Sequence, residues 1–268
     1  IIPERGCQEQ HSLNVQGKSM ILRRLSQSLK EQNWTAISIE FVLLVLGVYL
    51  GIQVANWNES RKESIQELAD LKNLAQDIRS DILEIDETIA ISTWRMSVLD
   101  ALVFKSTGER LPASFTLPFG VVHVPKIPTY TDIDNKSVGL VYVNIRTIDG
   151  NRSTYDTIIN TGGIRLIKDA KLLEQIQNYY VAVDEIKDTE IYLQANCESA
   201  REALHEAGIS PVDRKNLAEL SEVIARNPKA LASSKTVWGS TGNQIKILND
   251  LRQQANALLA DIEERKKP

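Results

Sequence analysis

The 268-residue chain has few of the residues from which catalytic and metal sites are usually built. Its three histidines, His11, His123 and His205, are too scattered for metal-ligand spacing. Its two cysteines, Cys7 and Cys197, would lie on opposite sides of the membrane span predicted below, so they form neither a disulfide framework nor a zinc site. No GxSxG, HExxH or P-loop motif occurs. We therefore expect no enzymatic activity, no cofactor and no metal.

Charge and size narrow the class of protein further. The formal net charge of −4 provides no broad basic surface, so nucleic acid is not an expected partner. Hydrophobic residues make up 43% of the chain and charged residues 25%, both ordinary for a folded protein. The length is sufficient for a membrane anchor and one or two modest domains.

One long hydrophobic run covers residues 35–55. It contains a single formal charge, Glu40, and as a helix it would span about 31 Å, close to the ~30 Å hydrocarbon core of a bilayer. Trp34 and Trp57 flank the run, and indole side chains favour the lipid headgroup level. The alternative is a buried helix of a soluble core, but a domain of this size rarely hides a helix that is apolar on all sides. The sequence predicts a transmembrane helix over residues 34–57, with the lipid bilayer as its partner.

The flanks of this segment indicate its orientation. Two basic residues, Arg61 and Lys62, follow it, and three precede it: Arg23, Arg24 and Lys30. Although the counts differ by only one, the short basic flank favours a cytoplasmic N-terminus. The apolar run is longer than that of a cleaved signal peptide, so an uncleaved signal anchor is preferred. We expect translation to start at Met20, with residues 1–19 non-native or disordered.

Three residues inside the predicted anchor are candidates for pairing with another helix: Glu40, Gly47 and Gly51. Two glycines four residues apart allow close approach of a second helix, although the pattern is common by chance in apolar segments. A charged side chain at the centre of a membrane helix costs about 2.5–3.5 kcal/mol. Two interpretations of Glu40 stay open: it binds a polar group on another helix, or it reaches the membrane interface.

Three later stretches carry apolar residues at alternating spacings of three and four, which is typical of helices packed in a coiled coil or bundle. One polar residue interrupts each of the first two stripes, Ser92 and Glu190. These two could meet, set the register or border a small polar cavity. The first long helix should end at Gly108, and the second should be capped by Asp169 and end at Gly208. Because the two match in length and pattern, we pair them antiparallel. The apolar positions are Leu68, Leu71, Ala75, Ile78, Ile82, Ile85, Ile89, Met96, Leu99 and Val103; Leu172, Ile176, Tyr179, Val183, Ile186, Leu193, Cys197, Ala200, Leu204 and Ala207; and Leu248, Leu251, Ala255, Leu258 and Ile262.

The segment between the first two stripes changes character. Four prolines exclude a helix at its start. Stretches rich in β-branched and aromatic residues at 119–124 and 137–147 predict two or three short strands, within an insertion over about 113–148. A short helix over 154–160, with a capping box that begins at Ser153, should follow.

Two further helices are expected near the C-terminus. The first should start at Ser210-Pro211 and stop before Pro228. A loop containing Gly239 and Gly242 should separate it from the last helix. An anion could bind where that loop meets the helix, but the lysine of a P-loop is missing, so a plain loop and cap is preferred.

Two sequence motifs resemble motifs of a bacterial family of uncharacterised single-pass membrane proteins. The first is the predicted anchor, in which Ile39 replaces a glycine that is usual in that family. The second precedes and enters the second long helix. The resemblance covers most of residues 21–265 and implies location and architecture, but no reaction, because the family has no assigned activity. The anchor motif contains Glu40, Gln53 and Trp57, and the motif positions of unknown role are Asn56 and Asn58 in the anchor and Tyr155, Gly162, Leu166, Ile167 and Tyr179 in the second motif.

Together these features predict a mainly α protein with a single transmembrane helix followed by a long-helix antiparallel bundle with a small β-strand insertion. The expected divisions are a cytoplasmic segment (1–33), the anchor (34–57) and an extracytoplasmic bundle (58–268), which is periplasmic if the membrane is a bacterial inner membrane. We expect the protein to act by protein–protein interaction or assembly, as a homo-oligomer or with another membrane or periplasmic protein. The alternative is a sensor-like ligand-binding domain that signals through a partner.

Overall fold

The computed structural model of the protein describes residues 34–117, 120–123 and 138–265. This part of the chain is mainly α, as the sequence predicts, with a small two-stranded sheet. The expected start at Met20 and the expected cytoplasmic segment lie outside the described residues. The elements are α1 (Trp34–Thr107), β1 (Ser114–Leu117), β2 (Gly120–His123), a 3₁₀ turn (Val138–Tyr142), α2 (Ser153–Asn160), a second 3₁₀ turn (Gly163–Leu166), α3 (Ala170–Glu206), α4 (Leu217–Arg226) and α5 (Pro228–Arg265).

The chain divides into two compact units, Ile1–Glu63 and Ser64–Pro268. The described part of the first unit is the N-terminal portion of α1. It includes an apolar stretch that is long enough to cross a membrane, and no residue of that stretch is buried by the rest of the protein. The flanking indoles of Trp34 and Trp57 are 64% and 67% exposed. The length and composition of this helix therefore agree with the predicted anchor.

The second unit is a bundle in which the C-terminal part of α1 packs against α3 and α5. Helix α5 runs antiparallel to α1, since residues later in α1 contact residues earlier in α5. Arg252 Nη1 donates to Asp86 Oδ1 at 2.8 Å, and further along α1 Ser92 Oγ donates to Gln244 Oε1 at 2.8 Å.

Helices α1 and α3 run parallel. Tyr179 donates its hydroxyl to Asp81 at 2.7 Å, and further along both helices Arg95 lies beside Cys197. The predicted antiparallel pairing of the first two stripes is therefore wrong. The connection between them, residues 108–169, is long enough to return the chain to the end of the bundle from which α1 enters. Helix α5 is the antiparallel neighbour of both.

The bundle interior contains two apolar clusters. The first core cluster draws on α1 from Leu71 to Ile85 and includes Tyr179 and Leu248; the second draws on α1 from Met96 to Leu102. The predicted stripes supply most of the first core cluster but only a minority of the second, and Leu68 is largely exposed. Between the clusters lie buried polar side chains, chiefly Ser92, Glu190 and Gln244. These three residues are called the polar layer below.

The helix ends follow local sequence signals in several places. Gly108 directly follows α1 with a φ angle of +78°, and Gly208 follows the C-cap residue of α3, Ala207, with a φ angle of +75°. Asp169 caps α3 by accepting a hydrogen bond from the Leu172 amide at 2.9 Å. The predicted Ser153 cap of α2 is wrong, since Ser153 is the first residue of the helix and the N-cap residue, Arg152, makes no side-chain cap hydrogen bond. Asp77 of α1 accepts from the Thr154 amide instead.

The insertion contains fewer strands than expected. Strands β1 and β2 form an antiparallel hairpin with Phe115 opposite Val122, so the predicted 119–124 strand is present where it is described. The predicted strand over 137–147 is wrong in its described part, because Val138–Tyr142 forms a 3₁₀ turn. The side chains that suggested a strand pack into the second core cluster.

The C-terminal boundaries also differ from the prediction. Helix α4 starts at Leu217, where Asn216 and Glu219 form a reciprocal capping box, and not at Pro211. Helix α5 is continuous from Pro228, so the predicted loop at Gly239 and Gly242 is wrong. Gly242 lies inside the helix, where close packing favours a residue without a side chain, since a Cβ atom there would be 3.2 Å from Met96 Cε. The suggested anion site at a helix N-terminus is therefore not formed.

Candidate functional site

The first candidate site is the predicted pairing surface on the apolar part of α1. Residues seven and eleven positions apart fall within about 40° of one another around an α-helix, so Glu40, Gly47 and Gly51 share one face. A Cβ atom at either glycine would have no atom within 4 Å. Trp57 and its motif neighbours Asn56 and Asn58 are exposed as well. This face is open to lipid or to another helix.

The second candidate site is the polar layer. Gln244 accepts from Ser92 and donates through Nε2 to Glu190 Oε1 at 3.3 Å. The Ile148 amide donates to the same Glu190 oxygen at 3.0 Å. The two polar interruptions of the sequence stripes therefore meet through Gln244. Sequence reasoning missed Gln244 because the predicted stripe of the last helix began at Leu248.

Burial dominates the electrostatics of Glu190, whose residue is only 3% exposed. Removal from water raises the pKa of its carboxyl to about 7, in spite of the hydrogen bonds from Ile148 and Gln244, which lower it. The negative charges of Glu84 and Asp149 raise the pKa further. This carboxyl group therefore exchanges its proton near neutral pH inside the bundle.

A second buried acidic group ties α1 to the start of α2. Asp81 accepts from the Asn151 amide at 2.7 Å and from the Tyr179 hydroxyl at 2.7 Å. Asp77 accepts from the Asn151 side chain at 3.0 Å and from the Thr154 amide at 3.1 Å. Burial raises the pKa of Asp81, although both of its hydrogen bonds oppose the shift. These contacts join α1 to the start of α2, although the two segments are far apart in sequence.

Aromatic residues of the second motif lie beside this network. Tyr155 stacks on Tyr180 with ring centroids 4.1 Å apart, and Tyr179 meets Tyr180 edge-on. The Arg152 guanidinium lies over both stacked rings and pairs with Asp184 at 2.8 Å. The structure thus brings Tyr155 and Tyr179 together as packing and hydrogen-bonding groups.

The remaining motif positions shape the turn that leads to α3. Gly162 has a φ angle of +72°, which a residue with a side chain adopts only with strain. Ile167 is buried in the first core cluster, and Leu166 is half-buried. Their positions indicate a role in chain direction and packing.

Arg95 is a buried residue that the sequence did not single out. It is fully buried, and its guanidinium donates to the carbonyls of Val141 at 3.1 Å and Asn144 at 2.6 Å. From α3, Arg201 donates to the Tyr142 carbonyl at 3.0 Å. Two arginines therefore hold the first 3₁₀ turn, and burial lowers the pKa of Arg95. In the sequence, Arg95 is only the neighbour of a stripe residue, Met96, so nothing there indicated that it binds the 3₁₀ turn.

Within residues 34–117, 120–123 and 138–265, no group of three or more His, Cys, Asp or Glu side chains is arranged to hold a metal ion. Cys197 is buried in the second core cluster, and burial raises the pKa of its thiol, which disfavours the reactive thiolate. Cys7 and His11 lie outside the described residues.

These features define a mainly α protein, and the described residues include one helix that is long and apolar enough to cross a membrane. Among known proteins, a family model described as a family of unknown function (DUF6090) matches residues 40–106, which lie within α1. The match supports the resemblance to an uncharacterised family through the first motif, whereas the second motif, from Tyr155 to Tyr179, lies outside it. No curated protein and no solved structure matches the chain.

Proposed function

We propose that the protein is a single-pass membrane protein whose helical bundle acts by protein–protein interaction or assembly and not by catalysis. The observation that carries this proposal is the apolar stretch of α1, which is exposed on all sides. Such a surface is stable only against lipid or another apolar helix. The basic flank before Trp34 supports a cytoplasmic N-terminus, which puts the bundle in the periplasm of a bacterial inner-membrane protein.

A second copy of the chain is the proposed partner of the anchor. In a symmetric parallel pair the same face meets itself, so Gly47 and Gly51 would lie against their counterparts and permit close backbone contact. Glu40 lies on that face two turns earlier. There Glu40 could hydrogen-bond to a polar group of the second copy, which would offset the cost of a carboxyl group in lipid.

The bundle stripes are not available for this assembly. Their apolar residues are buried against one another within a single chain. The polar side chains of the polar layer and of the Asp81 network are likewise engaged inside the bundle. Both observations favour the anchor as the pairing surface and a non-enzymatic role for the bundle.

Crosslinking of the full-length protein in its native membrane tests the proposal. We expect a crosslinked dimer that is lost in the double variant Gly47→Ile/Gly51→Ile. The matched control is Val42→Ile/Val45→Ile, which adds β-branched bulk to the opposite side of the helix. A dimer that survives the glycine substitutions, or that the control abolishes equally, contradicts pairing through this face.

Two further measurements test the rest of the proposal. Glu40→Leu should weaken the dimer, and unchanged assembly and abundance would remove the proposed role of the carboxyl group. Protease added to spheroplasts should degrade the bundle, since the proposal places it outside the cytoplasm. Protection of the bundle until the membrane is permeabilised would reverse the proposed orientation.

A second candidate function is that of a sensor-like ligand-binding domain. The observation that favours it is a pocket on the bundle between β1, α3 and α5, lined among others by Phe115, Thr189, Tyr192, Gly239, Ser240 and Asn243. It is called the α3–α5 pocket below. Its ligand is considered in the next section.

A further inference from the structure

We propose that the α3–α5 pocket binds a small uncharged molecule that carries a flat apolar ring and a hydrogen-bond donor. This inference rests on the second candidate function, ligand binding by the bundle. It does not depend on pairing of the anchor, which involves residues of the other unit.

The size of the pocket fits a small molecule. Its volume is about 630 Å³, within the range of about 300–1,000 Å³ that is usual for small-ligand sites. Three elements contribute to its wall, so a ligand would contact β1, α3 and α5 of a single chain.

Gly239 is the residue that opens the pocket. Glycine in the interior of a helix is destabilising, so it is expected only where a side chain cannot fit or where space is needed. At Gly242 close packing disfavours a side chain, because its Cβ would lie 3.2 Å from Met96 Cε and 3.4 Å from Phe115 Cε1. At Gly239 a Cβ would meet no atom within 4 Å. Close packing therefore accounts for Gly242, whereas Gly239 borders open space in the pocket wall that a large side chain would fill.

Asn243 provides an unused hydrogen-bond acceptor in the wall. It lies one helical turn after Gly239 and so on the same face of α5. Its side-chain oxygen Oδ1 is buried and accepts no hydrogen bond from any described residue. A buried acceptor without a donor is unfavourable, and an N–H or O–H group of a ligand would satisfy it.

The other walls are suited to a flat apolar group. The Phe115 ring is held in place by Trp238, with centroids 5.6 Å apart. Tyr192 contributes a second ring from α3 and is 72% exposed, so its ring is free to pack on a ligand. None of the described lining residues carries a formal charge, which disfavours an ionic ligand.

Ligand-observed NMR on the full chain in lipid nanodiscs tests the proposal, with benzamide as the probe. Benzamide has a flat ring and an amide N–H that can donate to Asn243. We expect saturable binding in the millimolar range, with weaker binding of N,N-dimethylbenzamide, which has no N–H, and none to empty nanodiscs. Asn243→Leu should remove the preference for benzamide over its dimethyl analogue.

Substitutions at Gly239 provide the matched pair. Gly239→Trp should fill the pocket and weaken benzamide binding at least about tenfold, whereas Gly239→Ala should retain it. Thr189→Trp fills the same space from α3 and serves if Gly239→Trp does not fold. Binding that is not saturable, or that both tryptophan variants leave unchanged, overturns the inference. If the wild-type protein binds no benzamide but still gives the crosslinked dimer, the ligand proposal fails while the assembly proposal stands.

Discussion

The substitution Glu190→Gln should change how the stability of the bundle depends on pH. Burial raises the pKa of Glu190 from 4.5 to about 7 in the folded protein. Between these two values the folded state therefore holds a proton that the unfolded state has released. The associated stabilisation is present below the unfolded pKa of 4.5 and is lost as the pH rises through about 7.

The expected size of this loss follows from the shift. One pKa unit corresponds to about 1.4 kcal/mol, so the wild-type protein should lose roughly 3 kcal/mol of unfolding free energy over this range. Glutamine keeps an oxygen that can accept from the Ile148 and Gln244 donors, but it does not ionise. The Glu190→Gln variant should therefore lack this component of the pH dependence. Asp81, whose pKa is also raised, is present in both proteins, so their difference isolates Glu190.

Thermal unfolding of the full chain in lipid nanodiscs, followed by circular dichroism, measures the effect. For a domain of this size each 1 kcal/mol corresponds to roughly 2–4 °C in Tm, so the variant should gain about 6–12 °C over wild type between about pH 4.5 and about pH 8. Glu185→Gln, at an exposed position of α3, is the matched control and should follow the wild type. Parallel pH profiles of wild type and Glu190→Gln would refute the reasoning.

Three further substitutions test the packing of the bundle by urea unfolding. Gly139→Ala should destabilise it by about 1–3 kcal/mol, because the new Cβ would lie 2.2 Å from the Pro211 carbonyl oxygen; an unchanged midpoint would contradict that close contact. Gly239→Ala should stabilise it by roughly 0.5–1 kcal/mol, since the methyl group enters open space and alanine favours the helix; destabilisation would show that the space is filled. Arg95→Met should destabilise it by about 2–4 kcal/mol, because two carbonyl groups lose their buried donor; a neutral result would show that water replaces the guanidinium.

The features that the sequence predicted well depend on short-range patterns. The two long stripes identified helices α1 and α3 because burial repeats with the helical period. The ends at Gly108 and Gly208 and the cap at Asp169 were found because each depends on one or two residues. The polar interruptions Ser92 and Glu190 pointed to the polar layer for the same reason.

The features that the sequence missed depend on contacts between distant segments. Gly239 and Gly242 are ordinary loop signals, and their surroundings inside a helix, the neighbouring Met96 for Gly242 and the α3–α5 pocket for Gly239, are set by distant segments. The parallel direction of α1 and α3 depends on the path of the segment that connects them, residues 108–169. The spacing of apolar residues within each helix carries no information about that path. Arg95 could not be recognised as a binding group because its acceptors are backbone carbonyls of a distant turn.

The pairing of α1 with α5 determines when the bundle can fold during synthesis. Ser92 contacts Gln244, which is 152 residues later in the chain. At a translation rate of about 5–20 residues per second, roughly 8–30 s pass between the synthesis of Ser92 and that of Gln244. Helix α3 emerges earlier but supplies only part of the cover. The apolar face of α1 therefore lacks its antiparallel partner until α5 has been synthesised, and the bundle core closes only at the end of synthesis.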